Sequence, residues 1–205
     1  MERIPLLELN PIVIHNTRLP SSLCDELIKY FDDVPPERGT TRSATNDRKV
    51  FLKWCRPGDW VPSFMWNYVS TINDTNFQYE ISGLFFTEVH FLHYRPGHFY
   101  NWHSDDSLRS CYAYAPPKSS GKLMLPTVEY VRKLSFSLQL SSPDEYTGGD
   151  LQLLHNCDTS EKMMTCPKEK GTLCVFDSRT RHRVLPVKSG IRKVLVGWAV
   201  GPRWK

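Results

Sequence analysis

The chain has 205 residues, 40% of them hydrophobic and 23% charged, which excludes a disordered chain and suits one domain that can bury a core without disulfides. A formal net charge of +4 is too mild to indicate a nucleic-acid partner. No run of about 18 apolar residues provides for a membrane span.

Taken in chain order, the opening "MERIPLLELNPIVIH" lacks the apolar core of a signal peptide, so a cytoplasmic location is expected. The six cysteines, at 24, 55, 111, 157, 166 and 174, form no CxxC pair and are expected as reduced, mostly buried thiols. "LPSSLCDELIKYFDDV" predicts a helix, with Ser21 or Ser22 as its cap and Leu23, Leu27, Ile28 and Phe31 as its apolar stripe. "PPERGTTRSATNDRK" predicts a polar loop, in which Arg42, Arg48 and Lys49, together with Lys53 just beyond it, form a diffuse basic region. "DWVPSFMWNYVSTIND" predicts a second helix with Phe64, Met65, Tyr68, Val69 and Ile72 on one side. From about residue 77 the texture changes to short strands: "FQYEISG", "FFTEVHFLHY", "HFYNWHSD", "KLSFSLQLS", "GDLQLLHN", "TLCVFD", "HRVLPV" and "RKVLVGWAV". A long connection, roughly Ser107 to Tyr130, interrupts them. The fold class expected is α+β and mainly β, a sandwich or barrel with the N-terminal helices on one face. No linker divides the chain, so residues 1–205 are taken as one domain, with helical support over about 1–76 and a β-core over about 77–205.

His103 and Asp105 stand two apart at the end of the aromatic run "FLHYRPGHFYNWHSD". On a strand, residues two apart share a face, so an imidazole and a carboxylate point one way together. Such a pair is either a polar pair on a half-buried sheet or part of a metal site. His182, in "FDSRTRHRVLPV", supplies a third ligand if the fold returns it to the first strand pair, as a jelly roll does. Two imidazoles and one carboxylate on one face of Fe(II) leave positions open for a chelating keto acid and dioxygen. A dicarboxylate keto acid also needs a cation deep in the pocket. Arg192 follows His182 by ten residues, across the turn "PVKSG", where hairpin-related strands would bring it toward the metal. The planar fork of an arginine suits a carboxylate, and Tyr94 is a candidate for an added hydrogen bond.

These residues sit in a pattern that resembles the prolyl-hydroxylase-type branch of the Fe(II)/2-oxoglutarate-dependent oxygenases. "HYRPGHFYNWHSD" is similar to the family's Tyr, Gly turn, Tyr and His-x-Asp. "KLSFSLQLSSPDEYTGGDLQLL" is similar to its strand followed by a Gly-Gly-acid turn. "KGTLCVFDSRTRHRVLPVKSGIRKVLVGWAV" is similar to its closing strands, and "HRVLPVKSGIR" followed by Trp resembles the bacterial and phage PKHD-type hydroxylases in particular. The match runs over roughly residues 70 to 201. The resemblance implies a double-stranded β-helix, with His103, Asp105 and His182 binding Fe(II), Arg192 and Tyr94 holding 2-oxoglutarate, and Tyr100 and Trp198 lining the pocket near substrate. It implies 2-oxoglutarate and dioxygen as cosubstrates, with ascorbate as an optional addition. The implied reaction is hydroxylation of an unactivated C–H bond, on a prolyl residue of a peptide or protein partner. The rivals are a free amino acid, a lysyl side chain or a nucleobase as substrate, or a jelly-roll binding module without turnover.

The remaining polar groups receive structural expectations. His90, His93 and His98 are read as non-ligands and His155 as exposed. Gly148 and Gly149 are read as a tight hairpin turn needing positive φ, with Asp150 in that turn. Arg179, Arg181 and Arg183 are read as a solvated edge, with attraction of an acidic substrate as the alternative.

Overall fold

The computed structural model describes residues 12–16, 19–38, 48–106, 112–113, 129–157 and 160–204. The N-terminal part contributes β1 (Ile12–Asn16), α1 (Ser21–Tyr30), β2 (Glu37–Arg38), β3 (Arg48–Lys49), β4 (Phe51–Trp54) and α2 (Trp60–Ile72), the last running into a π-helical turn over Asn73–Phe77. The β-rich part contributes β5 (Val89–Tyr94), β6 (Phe99–His103), β7 (Tyr112–Ala113), β8 (Glu129–Gln139), β9 (Tyr146–Gly148), β10 (Leu151–Cys157) and β11 (Ser160–Thr165). It closes with β12 (Thr172–Asp177), β13 (His182–Val184), β14 (Val187–Gly190) and β15 (Arg192–Pro202). The large sheet runs β1-β12-β8-β15-β5-β4-β2, with β7 alongside β8; the small sheet runs β11-β10-β13-β6-β3; β14 and β9 form a separate ribbon. All the strand pairs are antiparallel, and the two main sheets face each other as expected of a jelly roll.

Strand alternation divides the large sheet into two surfaces. Leu134, Phe136, Leu138 and Leu140 join Val89, Phe91, Leu173, Val175, Leu195 and Ala199 on the side that packs Cys24, Leu27 and Phe31 and the α2 residues Val61, Met65, Val69 and Ile72. The other side carries Leu92, Tyr94, Cys174, Phe176 and Val194 against Leu151, Leu153 and Val184 of the small sheet. Burying the helical stripes on a continuous apolar sheet face is what holds α1 and α2 in place. Lys53, itself buried, donates from Nζ to the carbonyls of Phe31 (2.6 Å) and Asp32 (3.2 Å), satisfying acceptors just past the end of α1.

Several expectations are corrected. Neither Ser21 nor Ser22 caps α1: both lie inside it, and Pro20 precedes it without a side-chain cap. The α2 stripe shifts by one row, because Val61 and Pro62 are buried whereas Phe64 and Tyr68 are only half-buried. "FQYEISG" is not a strand; its one ladder contact is an isolated bridge from Gly83 to Val200. Strands β1, β2 and β4 precede residue 77 yet belong to the large sheet, so this sheet is built from both ends of the chain. Arg48 and Lys49, read as loop, pair with Tyr100 and Phe99 on the edge of the small sheet. Gly148 and Gly149 do have positive φ, at 73° and 64°, but β9 pairs with β14 rather than with β10. Cys24, Cys55, Cys166 and Cys174 are free and buried. Cys111, the side chains of His155 and Cys157, and nearly all of the 107–130 connection lie outside the described residues.

Candidate metal and cosubstrate site

β6 and β13 are neighbours in the small sheet, and their register sets His103 directly opposite His182. Directly opposed residues of an antiparallel pair project to the same face, and the two imidazole centroids lie 4.1 Å apart. Asp105 lies beyond the end of β6, so strand alternation does not position it. Its backbone N–H, and that of Asp106, donate to the carbonyl of Ser178 in the turn that leads to His182 (2.9 and 3.1 Å). The carboxylate thereby meets both rings: Oδ1 is 3.8 Å from His103 Nε2 and Oδ2 is 3.5 Å from His182 Nε2. The ligating atoms of these three residues all lie within 4.8 Å of one another.

The second nitrogen of each ring is already committed. His103 Nδ1 is 2.7 Å from the carbonyl of Asn101, and His182 Nδ1 is 2.9 Å from that of Thr180. A carbonyl only accepts, so each Nδ1 carries a proton and each Nε2 is left facing Asp105. Asp105 accepts a hydrogen bond from Ser135 Oγ (2.7 Å), and Ser135 in turn is 3.0 Å from Ser178 Oγ. Burial acts to raise the Asp105 carboxyl, but His182, His103, Arg132 and a hydrogen bond from Trp198 outweigh it and hold the group below the ordinary carboxylate range. Burial, reinforced by His182, pushes the His103 imidazole down to about 3, so it is neutral near pH 7. Two imidazoles, each with Nδ1 held by a backbone carbonyl, and one carboxylate form the donor set that suits Fe(II), and the residues present fit it.

Arg192 and Tyr94 are cross-strand partners at the start of β15 and the end of β5. Both are buried, at 4% and 1% exposure, and the guanidinium lies 5.5 Å from the Tyr94 ring centroid. Among the described residues no carboxylate pairs with Arg192. Burial pushes the Tyr94 phenol up, while Arg48, Arg192 and Asp105 all act on it, so it lies within electrostatic reach of both the cation and the triad. Gly149 passes against the Arg192 stem: a Cβ there would stand 3.2 Å from Arg192 Cδ and 2.9 Å from Val187 Cγ2, besides straining a φ of +64°. The expected hairpin between His182 and Arg192 does not form. β13 lies in the small sheet and β15 in the large one, so the two residues approach from opposite walls of the interior.

Tyr100 stacks on the His103 ring, with centroids 3.5 Å apart and planes 17° from parallel. Trp198 is buried on the interior face, beside His90 (5.0 Å) and under the Arg132 guanidinium (3.4 Å). The basic cluster divides. Arg179 is bound into a buried carboxylate, donating from Nε to both oxygens of Asp177 (2.9 and 3.1 Å), and Arg183 lies over Trp102 (4.5 Å) and donates to Gln152 (2.8 Å). Asp150 is ion-paired with Lys168 (2.6 Å). Sequence reasoning passed over Ser135, although "KLSFSLQLS" holds the signal: its alternation sets Ser135, Ser137, Gln139 and Ser141 on one face of a buried strand, opposite four large apolar residues. It read His90, which shares the Tyr94 face, only as a non-ligand, and assigned Arg48 to the polar loop.

Residues 89–200 match the family profile described as the 2OG-Fe(II) oxygenase superfamily. Among curated proteins, a PKHD-type hydroxylase of Synechococcus elongatus is 46% identical over 65 residues, 32% of this chain and 27% of the relative. A PKHD-type hydroxylase of another Synechococcus species is 33% identical over 106 residues, 51% of this chain and 39% of the relative. The chain therefore matches well under half the length of these relatives. Among solved structures, a Pseudomonas putida prolyl-4-hydroxylase superposes with a TM-score of 0.64 at 21% identity, covering 95% of this chain and 94% of that one. A Trichoplax adhaerens prolyl hydroxylase, solved in complex with a hypoxia inducible factor peptide fragment, superposes with a TM-score of 0.66 at 20% identity over 93% and 84% of the two chains.

Proposed function

The chain belongs to the 2OG-Fe(II) oxygenase superfamily, and from that premise we propose that it is an Fe(II)- and 2-oxoglutarate-dependent dioxygenase that hydroxylates an unactivated C–H bond. In this reading His103, Asp105 and His182 hold the iron, and Arg192 with Tyr94 anchors the distal carboxylate of 2-oxoglutarate. When bound, iron, the keto acid and dioxygen supply the oxidising power that inserts one oxygen atom into the C–H bond, the keto acid leaving as succinate and CO2.

The chain's own residues do the positioning. The Asn101 and Thr180 carbonyls fix the tautomers of the two imidazoles, so both present a lone pair to the metal. Ser135 holds one oxygen of Asp105 and leaves the other for the ion. A keto acid bound between the two walls would set its distal carboxylate against a guanidinium fork that has no other acid partner among the described residues. Tyr100 and Trp198 line the space where the substrate carbon is offered, and their rings help exclude water from it. The observation that carries the reading is the convergence of two oriented imidazoles and one carboxylate within 4.8 Å, with a buried arginine on the opposite wall that has no acid partner among the described residues.

A prolyl residue of a peptide or protein is the substrate this reading favours. Its support is the names of the relatives, PKHD-type hydroxylases and prolyl hydroxylases, one of them solved with a peptide. The experiment has two stages. Anaerobic addition of Fe(II) and 2-oxoglutarate is expected to produce a visible metal-to-ligand charge-transfer band. Aerobic incubation with peptide and amino-acid libraries, followed by mass spectrometry, is expected to reveal +16 Da products at proline. No band removes the cofactor assignment; a band with products only outside proline moves the substrate.

A further inference from the structure

Beside the triad, buried polar atoms of two side chains have no hydrogen-bond partner among the described residues. His90 is 1% exposed, its ring lies between the indoles of Trp54 (4.5 Å) and Trp198 (5.0 Å), and neither of its nitrogens is bonded. The Nε of Arg48 is buried and likewise unbonded. Its guanidinium lies 4.7 Å over the Tyr100 ring, which also stacks on His103, so one phenol ring touches both this cation and a proposed metal-binding imidazole. Burial has the largest influence on His90 and the Arg48 charge the next, so the two groups are within electrostatic reach of each other. Desolvated polar atoms without partners are costly, and proteins keep them where a ligand satisfies them.

The other cations around this interior are accounted for. Arg132 is paired with Glu88 at 2.8 Å, and Arg192 is the anchor assigned to 2-oxoglutarate. Arg48 has no acid partner among the described residues. We propose that Arg48 and His90 form a second anion subsite, which holds a carboxylate of the substrate being hydroxylated while its hydrocarbon lies along Trp54, Trp198 and Tyr100. This rests on the dioxygenase reading and deepens it: the substrate is acidic close to the reacting carbon. Arg48 supplies the fork that matches a carboxylate, and His90 supplies one further N–H. The carboxylate has two sources, a free α-carboxylate on the reacting residue or the side chain of an adjacent acidic residue.

The test uses the full chain loaded with Mn(II) and N-oxalylglycine, which does not turn over, and calorimetric titration with two matched pairs of probes. N-acetyl-L-proline against its amide reports an α-carboxylate. Amide-capped acetyl-prolyl-glutamate against acetyl-prolyl-glutamine reports an acidic neighbour. The acid of at least one pair is expected to bind about tenfold more tightly than its neutral counterpart. Arg48→Met is expected to erase that preference, and Arg48→Lys, which keeps the charge but not the fork, to retain part of it. N-oxalylglycine affinity should change by less than about twofold in both variants, since its anchor is elsewhere. Equal binding of acid and neutral probes by the wild type, or an unchanged preference in Arg48→Met, overturns the subsite. A large loss of N-oxalylglycine affinity in Arg48→Met transfers Arg48 to the cosubstrate and also overturns it. Failure of the wild type to bind Mn(II) and N-oxalylglycine at all removes the dioxygenase reading itself.

Discussion

The two faces of the large sheet are made by the same strands and do opposite things. On β8 the helix side presents Leu134, Phe136 and Leu138, all at most 2% exposed and all in apolar contact. One residue away along the same strand, the interior side presents Ser135, Ser137 and Gln139, also buried but polar. β5 repeats the contrast, with Val89 and Phe91 on one side and His90 and Tyr94 on the other. An apolar face gains free energy by burial whatever lies opposite, whereas a polar face must be satisfied group by group. The interior side is satisfied only in part: among the described residues His90 is unbonded and Arg192 lacks an acid, and on the facing small sheet the Nε of Arg48 is unbonded as well. Stability is thus concentrated on one surface of the sheet and chemistry on the other, with the strand period of two keeping them apart.

That division predicts which substitutions cost folding and which cost only function. The largest functional effect is expected for His182→Ala, which removes one of the three proposed metal ligands and should abolish both iron binding and turnover while the chain stays folded. Anaerobic iron titration beside a thermal melt checks it, and retained turnover would break the triad. On the helix side Phe136→Ala should do the reverse. Phe136 is 2% exposed against the helical layer, so truncation should cost about 3–5 kcal/mol of stability. Surviving protein at low temperature should still give the charge-transfer band. Loss of iron binding in folded Phe136→Ala would mean that the two faces are coupled.

Arg192→Met comes next in size and separates the two roles within one residue. A buried cation without an acid destabilises the apo chain, so the variant should melt no lower than the wild type. Its 2-oxoglutarate requirement should rise strongly, because losing a charge-assisted contact with a buried fork costs on the order of 2–5 kcal/mol. An unaltered apparent KM for 2-oxoglutarate, measured with the same iron loading, would move the anchor to another side chain.

The contrast between the faces also explains what was legible in the sequence. The helix side is a matter of local period: the α1 stripe of Leu27 and Phe31 and the apolar register of "KLSFSLQLS" can be read from spacing alone. His103, Asp105, His182 and Arg192 were legible because the resemblance fixes their order along the chain, not because spacing reveals their meeting. The route of convergence was not legible. Asp105 is placed by a backbone bond to Ser178, and His182 faces His103 across a strand pair whose partners lie about 80 residues apart, which loop closure leaves undetermined in one sequence. Arg48 was missed for a related reason. A two-residue edge strand inside a polar stretch has no period to detect, and its direction depends on pairing with Tyr100.

The smallest expected effect tests the boundary between the faces most sharply. Ser135 lies on the interior side between Leu134 and Phe136, and its hydroxyl donates to Asp105 Oδ2 at 2.7 Å while meeting Ser178 Oγ at 3.0 Å. Ser135→Ala keeps the backbone ladder and deletes only that donor. If the hydroxyl serves chiefly to aim the carboxylate, iron affinity should fall roughly tenfold, as is typical when a bond that orients a metal ligand is lost. Stability should change by only about 1 kcal/mol, because Asp105 keeps the two imidazoles, the Arg132 charge and the indole of Trp198 around it. If instead the Ser135–Ser178 contact chiefly ties β8 to the turn after β12, the melt should drop while the iron affinity of the folded protein holds. Anaerobic iron titration and a thermal melt on the same preparation decide between the two, and the second outcome would place Ser135 with the packing residues on either side of it.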